Sequence, residues 1–289
     1  MSAQAFLRTR QIIAKAIGEA PLLAVDLAAR AQTHRLMADI PYGHGPRRRL
    51  DVYIPNRINE VTPLVLFLYG GTWSSGAKEI YRFLGAALAA RGYLAVIPDY
   101  SVYPAARFPA FVEDAAEALR WAHDHAGRLG AAPGRLFLMG HSAGAHIASM
   151  LAFDRQWLAG VGLNGGRDLA GMIGLAGPYH FEIDSELLRG IFGAPENKAR
   201  TQPIAHVTSD APPLLLATGD ADTIVMPDNT RSLAAAVRAS GGLVETRFYP
   251  RLGHREIIGA FSPLFKFLAP VADDVDAFIS TRGGGGANK

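Results

Sequence analysis

The sequence predicts an α/β fold with a mainly parallel, doubly wound sheet and helical cap elements. Three observations predict it. Short apolar runs occur without polar interruption, as in 63–69 (PLVLFLY), which suits strands buried on both faces. Stretches with apolar residues at helical spacing lie between these runs. The alternation continues from about residue 63 to residue 279, which is the pattern of β-α-β units and a parallel sheet.

Residues 3 to about 32 read as helix. Apolar residues recur through Phe6, Leu7, Ile12, Ile13 and Ile17, then through Leu22, Leu23, Leu27 and Ala28. Gly18 and Pro21 mark a break between two short helices. From 48 to 54 the pattern alternates as a strand through Leu50, Val52 and Ile54, and the buried run 63–69 follows the turn at Pro55-Asn56. Helix 80–91 then precedes strand 93–100, and helix 110–126 precedes strand 135–140. Helix 143–153 leads through a glycine-rich loop to strand 170–176. Residues 177–212 are irregular. Strand 213–218, helix 228–240, strand 244–249 and a last helix near 263–279 complete the order. The tail 283–289 (GGGGANK) reads as flexible. No internal repeat and no linker divides the chain.

Length and composition narrow the function classes. A chain of 289 residues, 49% hydrophobic and 19% charged, can bury one large core. A net charge of +3 argues against a phosphate-binding face, and Arg47-Arg48-Arg49 reads as a solvated strand start. With no cysteine there is no disulfide, thiolate metal site or cysteine nucleophile. Arg8, Arg10, Lys15, Glu19 and Asp26 interrupt the first apolar stretch, so neither a signal peptide nor a membrane span is expected, and the cytoplasm is the expected compartment.

The strongest local signal is Gly140-His141-Ser142-Ala143-Gly144, a G-x-S-x-G pattern between an apolar strand and a helix. In such an elbow the serine sits on a sharp strand-to-helix turn. Glycines let neighbouring backbone pass closely, and the helix N-terminus aims N–H groups at the reacting centre. Ser142 could instead be a plain helix N-cap, but a cap does not require glycines on both sides.

A serine hydroxyl needs a base, and the base needs an orienting acid, in the chain order Ser, acid, His. The strand 213–218 ends in Gly219-Asp220-Ala221-Asp222. Asp222 is favoured because it stands clear of the strand. Asp220 is the alternative, with an Asx-turn role otherwise, and Asp99 is expected to be structural. Among nine histidines, position decides for His254, which follows the strand 244–249 and Gly253. His123 and His125 stand two apart on a helix, which argues against a shared metal. Donors for a developing oxyanion are expected from the Ala143 N–H and from the loop after 63–69, with Gly71 and Thr72 as donors and Tyr69 and Gly70 as support.

Read together, LDVYIP (50–55), YGGTWSSGAK (69–78), IPDYSVYP (97–104), FPAFVEDAAEALRW (108–121), GHSAGAHIA (140–148), GDADTIV (219–225) and GH (253–254) resemble the α/β-hydrolase superfamily. Within it they are similar to the esterase/lipase group of feruloyl esterases, kynurenine formamidases, prenylcysteine methylesterases and hormone-sensitive-lipase-like esterases. The resemblance implies a mainly parallel, eight-stranded sheet. It also implies a Ser142-His254-Asp222 triad that hydrolyses small acyl or aryl esters through an acyl-enzyme, without cofactor or metal. Relatives usually carry His-Gly-Gly where this chain has Tyr69-Gly70-Gly71, so Tyr69 must hold the loop in another way. The expected layout is N-terminal helices over 1–45 contributing to a cap, a catalytic domain over 46–282 with a cap and pocket insertion at 177–212, and the tail 283–289. Trp73, Tyr179, His180, Phe181, Val225, Met226 and Ile257 are expected to line the substrate pocket. The expected partner is a small-molecule ester, not nucleic acid, and a homo-oligomer is left open. An amidase, formamidase or peptidase with the same triad, or a non-catalytic binding protein on this scaffold, are the competing readings.

Overall fold

The computed structural model describes residues 34–282. The helical reading of 3–32 and the tail 283–289 lie outside the described residues. One eight-stranded sheet runs through the molecule: β1 (His34–Pro41), β2 (Arg49–Pro55), β3 (Leu64–Leu68), β4 (Leu94–Pro98), β5 (Leu136–His141), β6 (Gly171–Leu175), β7 (Leu214–Gly219) and β8 (Val244–Tyr249). The spatial order is β1-β2-β4-β3-β5-β6-β7-β8. β1 and β2 are antiparallel to their neighbours, and all other pairs are parallel.

The principal helices are α1 (Arg82–Ala90), α2 (Ala110–Leu129), α3 (Ala143–Phe153), α4 (Arg155–Gly160), α5 (Glu186–Phe192), α6 (Asp228–Ala239) and α7 (Val271–Thr281). Register shows which sheet face each covers. Tyr53, Ala95, Val65, Phe137 and Gly171 form one row across the sheet and so share a face. Gly85 of α1 sits on the Tyr53 ring, and Phe278 of α7 meets Phe137 edge-on at 6.4 Å. Arg91, which caps α1, pairs with Asp273 and Asp276 of α7. The opposite face is reached from the alternate residues of β5, where Gly140 lies against Gly144 of α3. Helices thus flank both faces, and strands β3 to β7 are fully buried.

β1 departs from the sequence reading, which treated residues up to 45 as part of a helical N-terminal segment. Six of its eight residues are exposed, so no alternating apolar face marks it, and its register shifts between Met37 and Ile40. Residues 155–168, read as a loop, contain α4 and a helical turn at Gly165–Asp168. Within 177–212, Ser185 caps α5 by accepting from the Leu188 N–H at 3.2 Å. The last helix starts after Pro270, later than the expected 263.

Candidate active site

The elbow is shaped by contacts that admit no side chain. A Cβ on Gly144 would lie 2.0 Å from the Leu68 carbonyl oxygen, and one on Gly140 would lie 2.3 Å from that of Gly144. Ser142 is left at φ 54°, ψ −125°, a conformation that costs a non-glycine residue about 1–3 kcal/mol. Its N–H donates to the Leu175 carbonyl of β6 at 2.9 Å, which ties the turn to the neighbouring strand.

Ser142 follows β5, Asp222 follows β7 and His254 follows β8, so parallel pairing carries all three to one edge of the sheet. The Ser142 Oγ lies 2.8 Å from His254 Nε2, and His254 Nδ1 lies 2.7 Å from Asp222 Oδ2. The other Asp222 oxygen accepts the N–H groups of Ile224 and Val225, both at 2.9 Å. Burial alone would raise the Asp222 carboxyl. The His254 hydrogen bond and these two N–H groups outweigh it and hold the group below the usual carboxylate range. A carboxylate so held keeps the proton on His254 Nδ1 and leaves Nε2 to accept from the serine. Asp220 does not reach His254. It accepts from the Arg251 N–H and supports the turn that precedes the histidine.

The loop after β3 lies against the serine, since a Cβ on Gly70 would be 2.9 Å from Ser142 Cβ. Gly71 has φ +139°, and its carbonyl accepts from Ser74 and Ser75, both at 3.0 Å. The Gly71 and Thr72 N–H groups take no part in those turn bonds, and Ala143 heads α3, where the first N–H groups lack a helical partner. Tyr69, which stands where a histidine was expected, uses its phenol: it donates to Asp99 Oδ1 at 2.6 Å and accepts from Arg47 Nη2 at 2.8 Å. Tyr100 donates to the Tyr69 carbonyl at 2.6 Å and stacks on its ring at 4.6 Å.

A family model described as BD-FAE matches residues 50–161, and the prolyl oligopeptidase family model matches residues 110–273, more than half of the chain. The chain belongs to the prolyl oligopeptidase family of α/β-hydrolases. An isoprenylcysteine alpha-carbonyl methylesterase of Arabidopsis thaliana is 28% identical over 277 residues, covering 86% of this chain and 63% of that protein. A kynurenine formamidase of Danio rerio is 33% identical over 123 residues, covering 43% of this chain and 40% of that one. The chain spans less than two thirds of the length of the curated relatives it matches. A hyperthermophilic esterase from Pyrobaculum calidifontis superposes with a TM-score of 0.77 at 24% identity, covering 91% of this chain and 90% of that one, a likeness of fold.

The expected pocket residues divide into two sets. His180 and Met226 are exposed and Phe181 is half-buried, while Val225 is 8% exposed. Tyr179 and Ile257 have no exposed surface, which corrects their expected place in a pocket wall. Tyr179 is packed under the segment, with its ring against Gly174 and Gly177. Trp73 is 4% exposed and sits within an aromatic cluster behind the loop. Two of the histidines that the sequence left without a role are buried beside the elbow. His141 Nε2 donates to the His254 carbonyl at 3.0 Å. Burial, and then the nearby His254, lower its pKa to about 3. His146 is fully buried and burial lowers it to about 4. Their positions inside and just after the elbow were the only sequence signal. Among the described residues no group of three or more His, Asp or Glu is placed to hold a metal ion, and no helix is long and apolar enough to cross a membrane.

Proposed function

We propose that the protein is a serine hydrolase of carboxylic esters working through an acyl-enzyme. The unbroken hydrogen-bonded chain Ser142–His254–Asp222 carries this reading. In the reaction His254 Nε2 takes the serine proton as Oγ attacks the ester carbonyl. The oxyanion then rests on the N–H groups of Gly71, Thr72 and Ala143. As it collapses, His254 returns the proton to the departing alkoxide, and the acyl group stays on Ser142. Water, deprotonated by His254, then attacks the acyl-enzyme and releases the acid. Asp222 holds the imidazole tautomer and stabilises its charge. The segment 177–212, with His180 and Phe181, is proposed to cap a site for a small acyl or aryl group, beside Val225 and Met226.

Relatives named as methylesterases and esterases support the ester reading. The formamidase match favours a second reading, hydrolysis of an aryl formamide with the same residues. Parallel assays of p-nitrophenyl acetate and an aryl formamide separate the two by kcat/KM. Ser142→Ala is expected to lower kcat about 10⁴- to 10⁶-fold and to abolish fluorophosphonate labelling. Near-normal turnover in that variant would overturn the proposal.

A further inference from the structure

His146 lies one helical turn past the nucleophile, on α3, with 0% exposure, and it takes no part in the proposed reaction. Both of its ring nitrogens are engaged. Nε2 lies 2.8 Å from the Thr201 carbonyl, and Nδ1 lies 3.3 Å from the indole nitrogen of Trp73. The chemistry of the partners fixes the tautomer. A carbonyl only accepts, so Nε2 carries the proton. An indole N–H only donates, so Nδ1 is the acceptor. The ring also meets Trp73 edge-on at 5.0 Å and Phe192 at 5.5 Å, and Trp73 meets Phe181 at 5.5 Å and Phe192 at 4.8 Å.

Trp73 is anchored where the loop is most strained. Thr72 and Trp73 stand at φ 52° and 53°, consecutive non-glycine residues in the left-handed region. Such a pair persists only when its surroundings over-determine it. On the backbone side the Trp73 carbonyl accepts from the Tyr103 N–H at 2.8 Å. On the side-chain side the restraint is the indole hydrogen bond and the ring contacts. The peptide N–H of Thr72, immediately before this anchor, is one of the proposed oxyanion donors.

We infer that His146 is a positioning residue that locks the Thr72–Trp73 backbone into its donor geometry by bridging the Trp73 indole to the Thr201 carbonyl of the 177–212 segment. The inference rests on the oxyanion role proposed above. The bridge adds no contact to the substrate. It acts on the energy of the charged intermediate and not on ground-state binding.

The test compares Trp73→Phe, which keeps a ring and deletes the N–H, with His146→Phe, the double variant, and His146→Gln, whose amide can still donate to Thr201 and accept from Trp73. A donor displaced by a fraction of an ångström costs on the order of 10- to 100-fold. On p-nitrophenyl acetate, Trp73→Phe and His146→Phe are expected to lower kcat by that factor, with KM within about twofold of the parent. Affinity for an aryl trifluoromethyl ketone, which forms an oxyanion on the serine, is expected to fall in proportion to kcat/KM. The double variant is expected to match the worse single variant, and His146→Gln to recover most of the loss. Folded variants with kcat within twofold of the parent, or with unchanged ketone affinity, would overturn the inference. So would equal rises in KM. Ser142→Ala, run alongside, separates the cases: if it stays active, the hydrolase reading itself has failed.

Discussion

At the scale of single residues, the site is built from groups held in states they would not choose in water. Ser142 is held at positive φ because Gly140 and Gly144 let α3 close on β5. His141 and His146 are held neutral, with burial lowering them to about 3 and about 4. That has a consequence for acid stability. In the unfolded chain both histidines take up a proton near pH 6.5, whereas in the folded protein they do so only at their lowered values. The unfolded state therefore binds more protons across this window, and stability falls as pH drops from about 6.5 towards 4. The size is roughly 3 kcal/mol per histidine by pH 4. Asp222, held below its usual range, acts in the same direction only at lower pH. Urea midpoints measured from pH 7 to pH 4 should fall steeply in the parent and less steeply in His141→Gln. Parallel curves for the two proteins would contradict this account. The serine and its strand-to-helix junction were legible in the sequence because glycine spacing is a local property. The partners of His141 and His146 were not, because their carbonyls come from residues 254 and 201, which only the folded chain brings near.

At the scale of elements, the loop after β3 shows how one replacement is absorbed. Where the resemblance implied a histidine, this chain has a phenol anchored between Asp99 after β4 and Arg47 before β2. Arg47 also donates to the carbonyls of Tyr100 at 2.8 Å and Gly76 at 2.7 Å, so one guanidinium spans both sides of the loop. Tyr69→Phe keeps the ring stacking and removes the hydroxyl, leaving a half-buried Asp99 with the Lys78 N–H at 2.9 Å and the Arg47 guanidinium at 3.6 Å. The expected cost is about 1–3 kcal/mol, a Tm lower by roughly 2–10 °C, together with a lower kcat. If Tm and kcat were both unchanged, the phenol would not be what holds the loop. The strand preceding this loop was legible as an apolar run. The anchor was not, because Tyr69 and Arg47 are 22 residues apart and nothing local pairs them. The same physics hid β1: an edge strand with exposed side chains and a register shift carries no period of two.

At the scale of the whole molecule, the buried sheet core was readable in the sequence because burial on both faces leaves uninterrupted apolar runs. The way its antiparallel edge is fastened was not. The fastening is Lys78, whose side chain is 2% exposed. Its Nζ lies 2.8 Å from Asp39 in β1 and 2.9 Å from Asp51 in β2, and it pairs with Glu79 as well. Burial disfavours its charge, but the three carboxylates together outweigh that and hold its pKa above the ordinary lysine value. Asp51 is 1% exposed, and its second oxygen has no partner. Removing the cation would therefore strand a buried carboxylate, which is far costlier than losing a surface pair. Lys78→Met keeps the length of the stem and is expected to lose about 3–5 kcal/mol. Adding Asp51→Asn, which removes the stranded charge, should restore part of that loss, and a double variant as unstable as the single one would show that charge is not the cause. Because Lys78→Met leaves the Lys78 N–H on Asp99 in place, and the clasp faces β1 and β2 while the Ser142–His254–Asp222 chain lies beyond β5, turnover per folded molecule should change far less than stability in both variants.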